Sequence, residues 1–166
     1  MTTRSGRPAT AFLSLGSNLG PGVALIGEAV DRLAASGLVR VSGRAPLYRT
    51  TPVGPVPQPD FTNSVISVET VLSPEQLMAL CHEVERDMGR NRSEELRWGP
   101  RRIDIDLIAY NDETRDGPDL ILPHPRFAER AFVLVPLNDL APDVMIGGHR
   151  VCDYLARLDR SGVVAL

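Results

Sequence analysis

Ile103-Asp104-Ile105-Asp106-Leu107-Ile108-Ala109-Tyr110 is the stretch on which the reading of the fold turns. β-forming residues alternate through it, so that on a strand Ile103, Ile105 and Leu107 share one face while Asp104 and Asp106 stand side by side on the other. Working upstream, Ser73-Pro74-Glu75-Gln76 supplies an N-cap, a proline at the first helical position and a capping-box glutamine. Leu77, Leu80, Val84 and Met88 follow at helical spacing, and Gly89 ends the helix. Before it, residues 61–68 read as a strand, preceded by a stiff loop holding Pro52, Pro55, Pro57 and Pro59. Leu38, Val39 and Val41 begin another strand, expected to run on to Tyr48. Residues 11–15 read as the first strand, and Ile26, Ala29, Val30 and Leu33 place a helix between Pro21 and Gly37. Downstream, residues 131–140 are expected to be helical despite Pro136, with a last short helix near 152–158. The order βαββαβ followed by helices predicts an α+β fold, with an antiparallel sheet covered by helices and the ferredoxin-like arrangement among its options.

The chain has 166 residues, 43% hydrophobic and 23% charged, which fits one globular domain over 1–166 with the first ten residues flexible. There is no apolar run long enough to span a bilayer and no signal-like start, so a cytoplasmic protein without membrane contact is expected. Cys81 and Cys152 stand alone, which argues against a zinc site or a disulfide scaffold. All 18 basic residues are arginine. P-loop, Schiff-base and lysine-base chemistries are thereby excluded, and phosphate recognition falls to arginine, backbone amides or metal.

Asp104 and Asp106 repel one another unless a hard cation, best magnesium, or nearby arginines compensate them. A solvated face of structural ion pairs is the plain alternative. Arg86, Arg90, Arg92, Arg97, Arg101 and Arg102 crowd the segment just upstream, a basic cluster on a chain of net charge −3. Arginine's planar fork suits bidentate phosphate contact, so the cluster beside two carboxylates suggests a polyphosphate site such as one for ATP. Nucleic acid is the rival, disfavoured because Trp98 is the cluster's one aromatic. His124 is held between two prolines, while His82 and His149 read as surface or helix residues. Gly16-Ser17-Asn18-Leu19-Gly20 matches no nucleotide-loop pattern and reads as a tight turn with Asn18 near a helix cap.

Leu15-Gly16-Ser17-Asn18-Leu19-Gly20, Tyr48-Arg49-Thr50, Pro59-Asp60-Phe61-Thr62-Asn63, Gly89-Arg90, Arg97-Trp98-Gly99-Pro100-Arg101, Asp104-Ile105-Asp106-Leu107 and Pro123-His124-Pro125-Arg126 together resemble the 6-hydroxymethyl-7,8-dihydropterin pyrophosphokinase family, in order and in spacing. The resemblance runs from about residue 11 to 143. It implies a ferredoxin-like fold and transfer of the terminal diphosphate of ATP to the hydroxymethyl group of a pterin, releasing AMP, with two magnesium ions, in folate biosynthesis. It further implies that Asp104 and Asp106 ligate magnesium and that Arg90, Arg92 and Arg101 engage the ATP phosphates or steer the reacting groups. On the nucleotide side it adds His124 and Arg130, Leu107 and Ile121 lining the adenine, and Trp98 capping the site from a loop. On the pterin side it implies Phe61 and Phe132 as sandwiching aromatics, Asn63 on the ring's polar edge, and backbone contacts at Thr50 and Val53. The chain departs from some members at His82, Thr51 and Pro125. The expected partners are ATP and 6-hydroxymethyl-7,8-dihydropterin, with no nucleic acid and a monomeric chain. Another magnesium-dependent phosphoryl or nucleotidyl transferase, or a non-catalytic ferredoxin-like nucleic-acid-binding module, is the alternative.

Overall fold

A computed structural model describes residues 6–166. Of the ten residues expected to be flexible, the first five lie outside the described residues, whereas Ala9 and Thr10 already pair with Thr70 and Glu69. The first strand, β1 (Ala9–Ser17), leads into helix α1 (Gly22–Ala35). Next come β2 (Val39–Arg44), β3 (Tyr48–Thr50) and β4 (Phe61–Thr70). Helix α2 (Pro74–Asp87) precedes β5 (Asp104–Tyr110). A small hairpin of β6 (Arg115–Asp116) and β7 (Ile121–Leu122) is followed by helix α3 (Ala131–Leu140). A second hairpin, β8 (Met145–Ile146) with β9 (His149–Arg150), leads to helix α4 (Val151–Leu155) and a final strand, β10 (Val163–Ala165).

The main sheet is antiparallel throughout, with β1 and β4 central, β5 beyond β1, and β2 and β3 along the other edge of β4. This bears out the α+β ferredoxin-like reading. One strand was expected from Leu38 to Tyr48; the structure breaks it in two around Ala45-Pro46-Leu47. Pro46 has no N–H to give a ladder. The pieces nonetheless stay in line, β2 on the C-terminal half of β4 and β3 on its N-terminal half, with the Ala45 N–H reaching the Val65 carbonyl at 2.9 Å between them. β10 went unanticipated. It pairs with β3, Val163 opposite Thr50, and extends the sheet by one strand.

Each sheet face carries its own core. Helices α1 and α2 cover one, where Leu13, Leu15, Ile105 and Leu107 meet Leu33, Leu77 and Val84. α3 and α4 cover part of the other, where Phe12, Val65, Ile108 and Ala109 meet Leu134 and Leu137. The alternation of β5 holds from Ile103 to Ile108 and then slips at a bulge, so that Ile108 and Ala109 both face α3 and Tyr110 returns to the first core.

The start of α2 forms as its sequence requires. Ser73 Oγ accepts from the Gln76 N–H at 3.1 Å, and Gln76 Oε1 accepts from the Ser73 N–H at 2.9 Å. Replacing such a cap with alanine costs about 1 kcal/mol. Gly89, at φ +92, takes the left-handed conformation that ends the helix and turns the chain toward the arginine-rich loop.

Candidate active site

On the second face, the α3–α4 core stops short of one end of the sheet, and there the inward-facing residues turn polar. The ladder sets their order. Asp104 on β5 lies opposite Gly16 on β1, Gly16 opposite Asn63 on β4, and Phe61 opposite Thr50 on β3, with Val163 of β10 next. At about 4.8 Å per strand step, Asp104 and Thr50 are separated by about 14 Å of sheet. Above this floor is a cavity of about 520 Å³. Its walls come from the proline loop (Thr51, Pro52, Val53 and Gln58), from Trp98 to Arg101, from His124 to Phe132, and from residues 159–163.

Eleven of the fifteen residues singled out from sequence line this one cavity: Thr50, Val53, Phe61, Asn63, Trp98, Arg101, Asp104, Asp106, His124, Arg130 and Phe132. Four do not. The Leu107 side chain points away from Asp106, is sealed in the α1–α2 core and does not line the cavity. Ile121 is exposed on its hairpin and lies outside the cavity. Arg92 is half-exposed and pairs with the buried Glu85 at 2.9 Å.

Arg90 is the most informative of the four. Its side chain is 2% exposed, and all three of its nitrogens donate. It forks onto both Glu95 oxygens at 2.8 and 3.0 Å, donates to Asp104 Oδ1 at 2.8 Å and to the Ile103 carbonyl at 3.2 Å, and pairs with Glu85. Three carboxylates hold it, Asp104 among them, so Arg90 braces a carboxylate of the cavity floor. The burial of Glu85 and Arg90 carried no local signature, since it needs α2, the loop and β5 assembled together.

The two aspartates therefore differ. Burial opposes the charge of Asp104, but the Arg90 and Arg101 guanidiniums outweigh it and hold its carboxyl below the ordinary range. Arg101 reaches Asp104 Oδ2 at 3.0 Å. Asp106 has no ion pair or hydrogen bond of this kind among the described residues. Burial and the neighbouring Asp104 raise its carboxyl well above the usual carboxylate range. Such an undercompensated acid beside an ionised one suits a cation. No group of three or more acidic, histidine or cysteine side chains is poised to hold a metal among the described residues. Two carboxylates are what magnesium takes when phosphates and water complete its shell, so the donor set fits.

His124 is positioned by its own backbone, whose N–H reaches the Ile108 carbonyl at 2.9 Å, while its Nδ1 accepts from the Arg126 N–H at 3.1 Å. Burial, then the Arg130 charge, lower its pKa to about 4, so the ring is neutral with its proton on Nε2. The Arg126 guanidinium lies 4.8 Å from the Trp98 ring centre. Arg130 stacks similarly at 5.5 Å from Phe132. At the β3 side, Asn63 Nδ2 donates to Thr50 Oγ1 at 2.5 Å. Pro136 lacks the N–H that would reach back to the Phe132 carbonyl, so α3 carries Phe132 in a turn with one backbone bond fewer.

Ser14, Gln58, Arg126, Glu129, Asp159, Ser161, Gly162 and Val163 also line the cavity, without a local pattern that marks them in the sequence. Asn18, expected near a helix cap, caps no helix; Pro21 holds that position without a side-chain bond. Asn18 Nδ2 instead donates to Gln58 Oε1 at 2.9 Å and the Pro59 carbonyl at 3.0 Å, and its Oδ1 accepts from the Arg101 N–H. Gln58 Nε2 in turn donates to the Trp98 carbonyl at 2.6 Å. The tight, glycine-bounded turn was legible, but its partners 40 and 83 positions away were not.

The 7,8-dihydro-6-hydroxymethylpterin-pyrophosphokinase family model matches residues 12–142. The chain is 46% identical over 153 residues to a 2-amino-4-hydroxy-6-hydroxymethyldihydropteridine pyrophosphokinase of Methylorubrum extorquens, covering 92% of this chain and 96% of that one. It is 40% identical over 159 residues to the protein of that name from Pseudomonas aeruginosa, covering 93% and 95%. A crystal structure of Plasmodium falciparum HPPK-DHPS with pterin and p-hydroxybenzoate superposes with a TM-score of 0.72 at 16% identity, covering 93% of this chain and 42% of that longer one, a likeness of fold. With the family motifs gathered around one cavity and the match running through most of its length, the chain belongs to the 7,8-dihydro-6-hydroxymethylpterin-pyrophosphokinase family.

Proposed function

We propose that the chain transfers diphosphate from ATP to the hydroxymethyl oxygen of 6-hydroxymethyl-7,8-dihydropterin, releasing AMP, as a step of folate biosynthesis. The observation that carries this reading is the order of residues across the cavity floor. Carboxylates with Arg101, His124 and Arg130 stand toward β5, while Asn63, Phe61 and Thr50 stand toward β3. Magnesium would be held by Asp104 and Asp106, and when bound it neutralises phosphate charge. Arg101, Arg126 and Arg130 supply the planar donors for the phosphate oxygens. Phe61 and Phe132 offer flat apolar surfaces to a ring, and the Asn63 amide reads its polar edge. Trp98 and the loops tied by Asn18 and Gln58 shield the reacting groups from water.

The hydroxyl oxygen of the acceptor forms the bond to the β-phosphorus, the bond from that phosphorus to the α,β-bridging oxygen breaks, AMP leaves, and the hydroxyl proton passes to solvent. No lysine base is present, and positioning with charge neutralisation is enough to drive such a transfer.

Incubation with ATP, magnesium and the hydroxymethyl pterin, followed by nucleotide analysis, tests this. AMP with a pterin diphosphate is expected; ADP with a pterin monophosphate would overturn it.

A further inference from the structure

The far side of the cavity is built by a part of the chain beyond the matched residues 12–142. Asp159, Ser161, Gly162 and Val163 line it. Asp159 Oδ1 accepts from the Ser161 N–H at 2.9 Å and shapes the turn, after which β10 lies along β3. The Gly162 carbonyl accepts from the Thr51 N–H at 3.0 Å, and the Leu166 N–H reaches the Leu47 carbonyl at 3.1 Å, so β3 is tied at both ends. Without β10, β3 would be a three-residue edge strand leading into the proline loop. With it, Thr50 is held between two strands, and Thr50 Oγ1 receives the Asn63 amide.

We infer that residues 159–163 form the outer wall of the acceptor-ring end of the cavity, with Ser161 and Gly162 setting its width and the position of Thr50 and Asn63, and so the fit of the pterin. This rests on the reading of that end as a pterin site. Gly162 is the sensitive point, because a Cβ there would lie 3.2 Å from Thr51 Oγ1 and 3.4 Å from Thr51 Cβ. A methyl makes Thr51, itself a lining residue, give way by a few tenths of an ångström. Ser161→Leu would place a bulky apolar group at the same wall. Neither position touches Asp104, Asp106 or the arginines around them in any hydrogen bond or ion pair of the described residues.

The test is calorimetry on the full chain. 6-Hydroxymethyl-7,8-dihydropterin is titrated into protein saturated with magnesium and a non-hydrolysable ATP analogue, and the analogue is titrated separately. Gly162→Ala and Ser161→Leu should each weaken pterin binding at least fivefold while analogue affinity stays within twofold. Adding Thr51→Ala to Gly162→Ala removes the Oγ1 contact and should return pterin affinity to that of Thr51→Ala alone, a rescue that general loosening of the fold does not produce. Unchanged pterin affinity in both variants, or equal weakening of both ligands, would overturn the wall and leave the proposed function standing. Failure of the unsubstituted protein to bind the pterin would overturn the proposed function as well.

Discussion

The side-chain oxygen of Asn18 accepts a hydrogen bond from the backbone N–H of Arg101 at 2.8 Å, and the Arg101 carbonyl accepts from the Asn18 N–H at 3.0 Å. This reciprocal pair fastens the loop before β5 to the end of β1, and through Nδ2 it also fastens the proline loop. Asn18→Ala removes three side-chain bonds at a buried position and leaves the Arg101 N–H without that partner. A loss of about 1–3 kcal/mol in denaturant stability is expected, with turnover reduced about tenfold or more because both loops bordering the cavity come loose. Unfolding curves and steady-state rates on the same preparation check it, and a variant of unchanged rate would show that the loops hold without Asn18.

Asp104 and Asp106 should part company when each is changed to asparagine. Both substitutions are expected to lower turnover by orders of magnitude, since the metal-neutralised phosphate charge is lost. Their effects on folding differ. Asp104→Asn weakens ion pairs with Arg90 and Arg101 and should destabilise by about 1–3 kcal/mol. Asp106→Asn removes an acid that has no hydrogen bond or ion pair among the described residues and sits beside an ionised one, and should be neutral or stabilising. Its raised carboxyl makes stability fall as pH rises through the folded-state value, starting from the unfolded value of about 3.9. The gain from Asp106→Asn should thus be larger at pH 8 than at pH 4, which thermal melts at the two pH values measure.

His124, lowered to about 4 by burial and then by Arg130, is neutral in the free protein at neutral pH. A histidine depressed in this way adds stability above its unfolded value of about 6.5, and that stability fades as pH falls toward 4. Polyphosphate at the same place favours the charged ring, so nucleotide binding should take up a proton above about pH 4 and tighten as pH falls toward that value. The His124 ring signal followed by NMR titration with and without an ATP analogue checks this; identical midpoints would place the phosphates elsewhere.

Gly16→Ala should damage the ring end while sparing the nucleotide. A Cβ at Gly16 would lie 2.6 Å from Asn63 Oδ1, so Asn63 has to leave its bond with Thr50. Pterin affinity is expected to fall about tenfold or more and ATP-analogue affinity to change less than threefold, as read by calorimetry with each ligand.

Much of this site was legible before folding because its information is local. The alternation of β5 put both carboxylates on one face, and the Ser73 to Gln76 pattern placed the start of α2 within a residue. The family motif names Leu107 and Arg90 by position and does not say which way either side chain points. Leu107 follows the strand's period to the opposite face from Asp106, and Arg90 is claimed by Glu85 and Glu95. β10 offered only three residues, too short for any period to show.

What the chain determined by itself was the βαββαβ order, the acidic and apolar faces of β5, the exclusion of lysine chemistry and the family motifs, since each depends on residues within a turn or a strand of one another. Tertiary structure alone decided which arginines face the cavity, that Asn18 ties two loops rather than capping a helix, and that residues 159–163 close the ring end. A guanidinium goes to the carboxylates nearest in space, and a strand edge to whatever chain reaches it, and both are set by the packing of segments far apart in sequence.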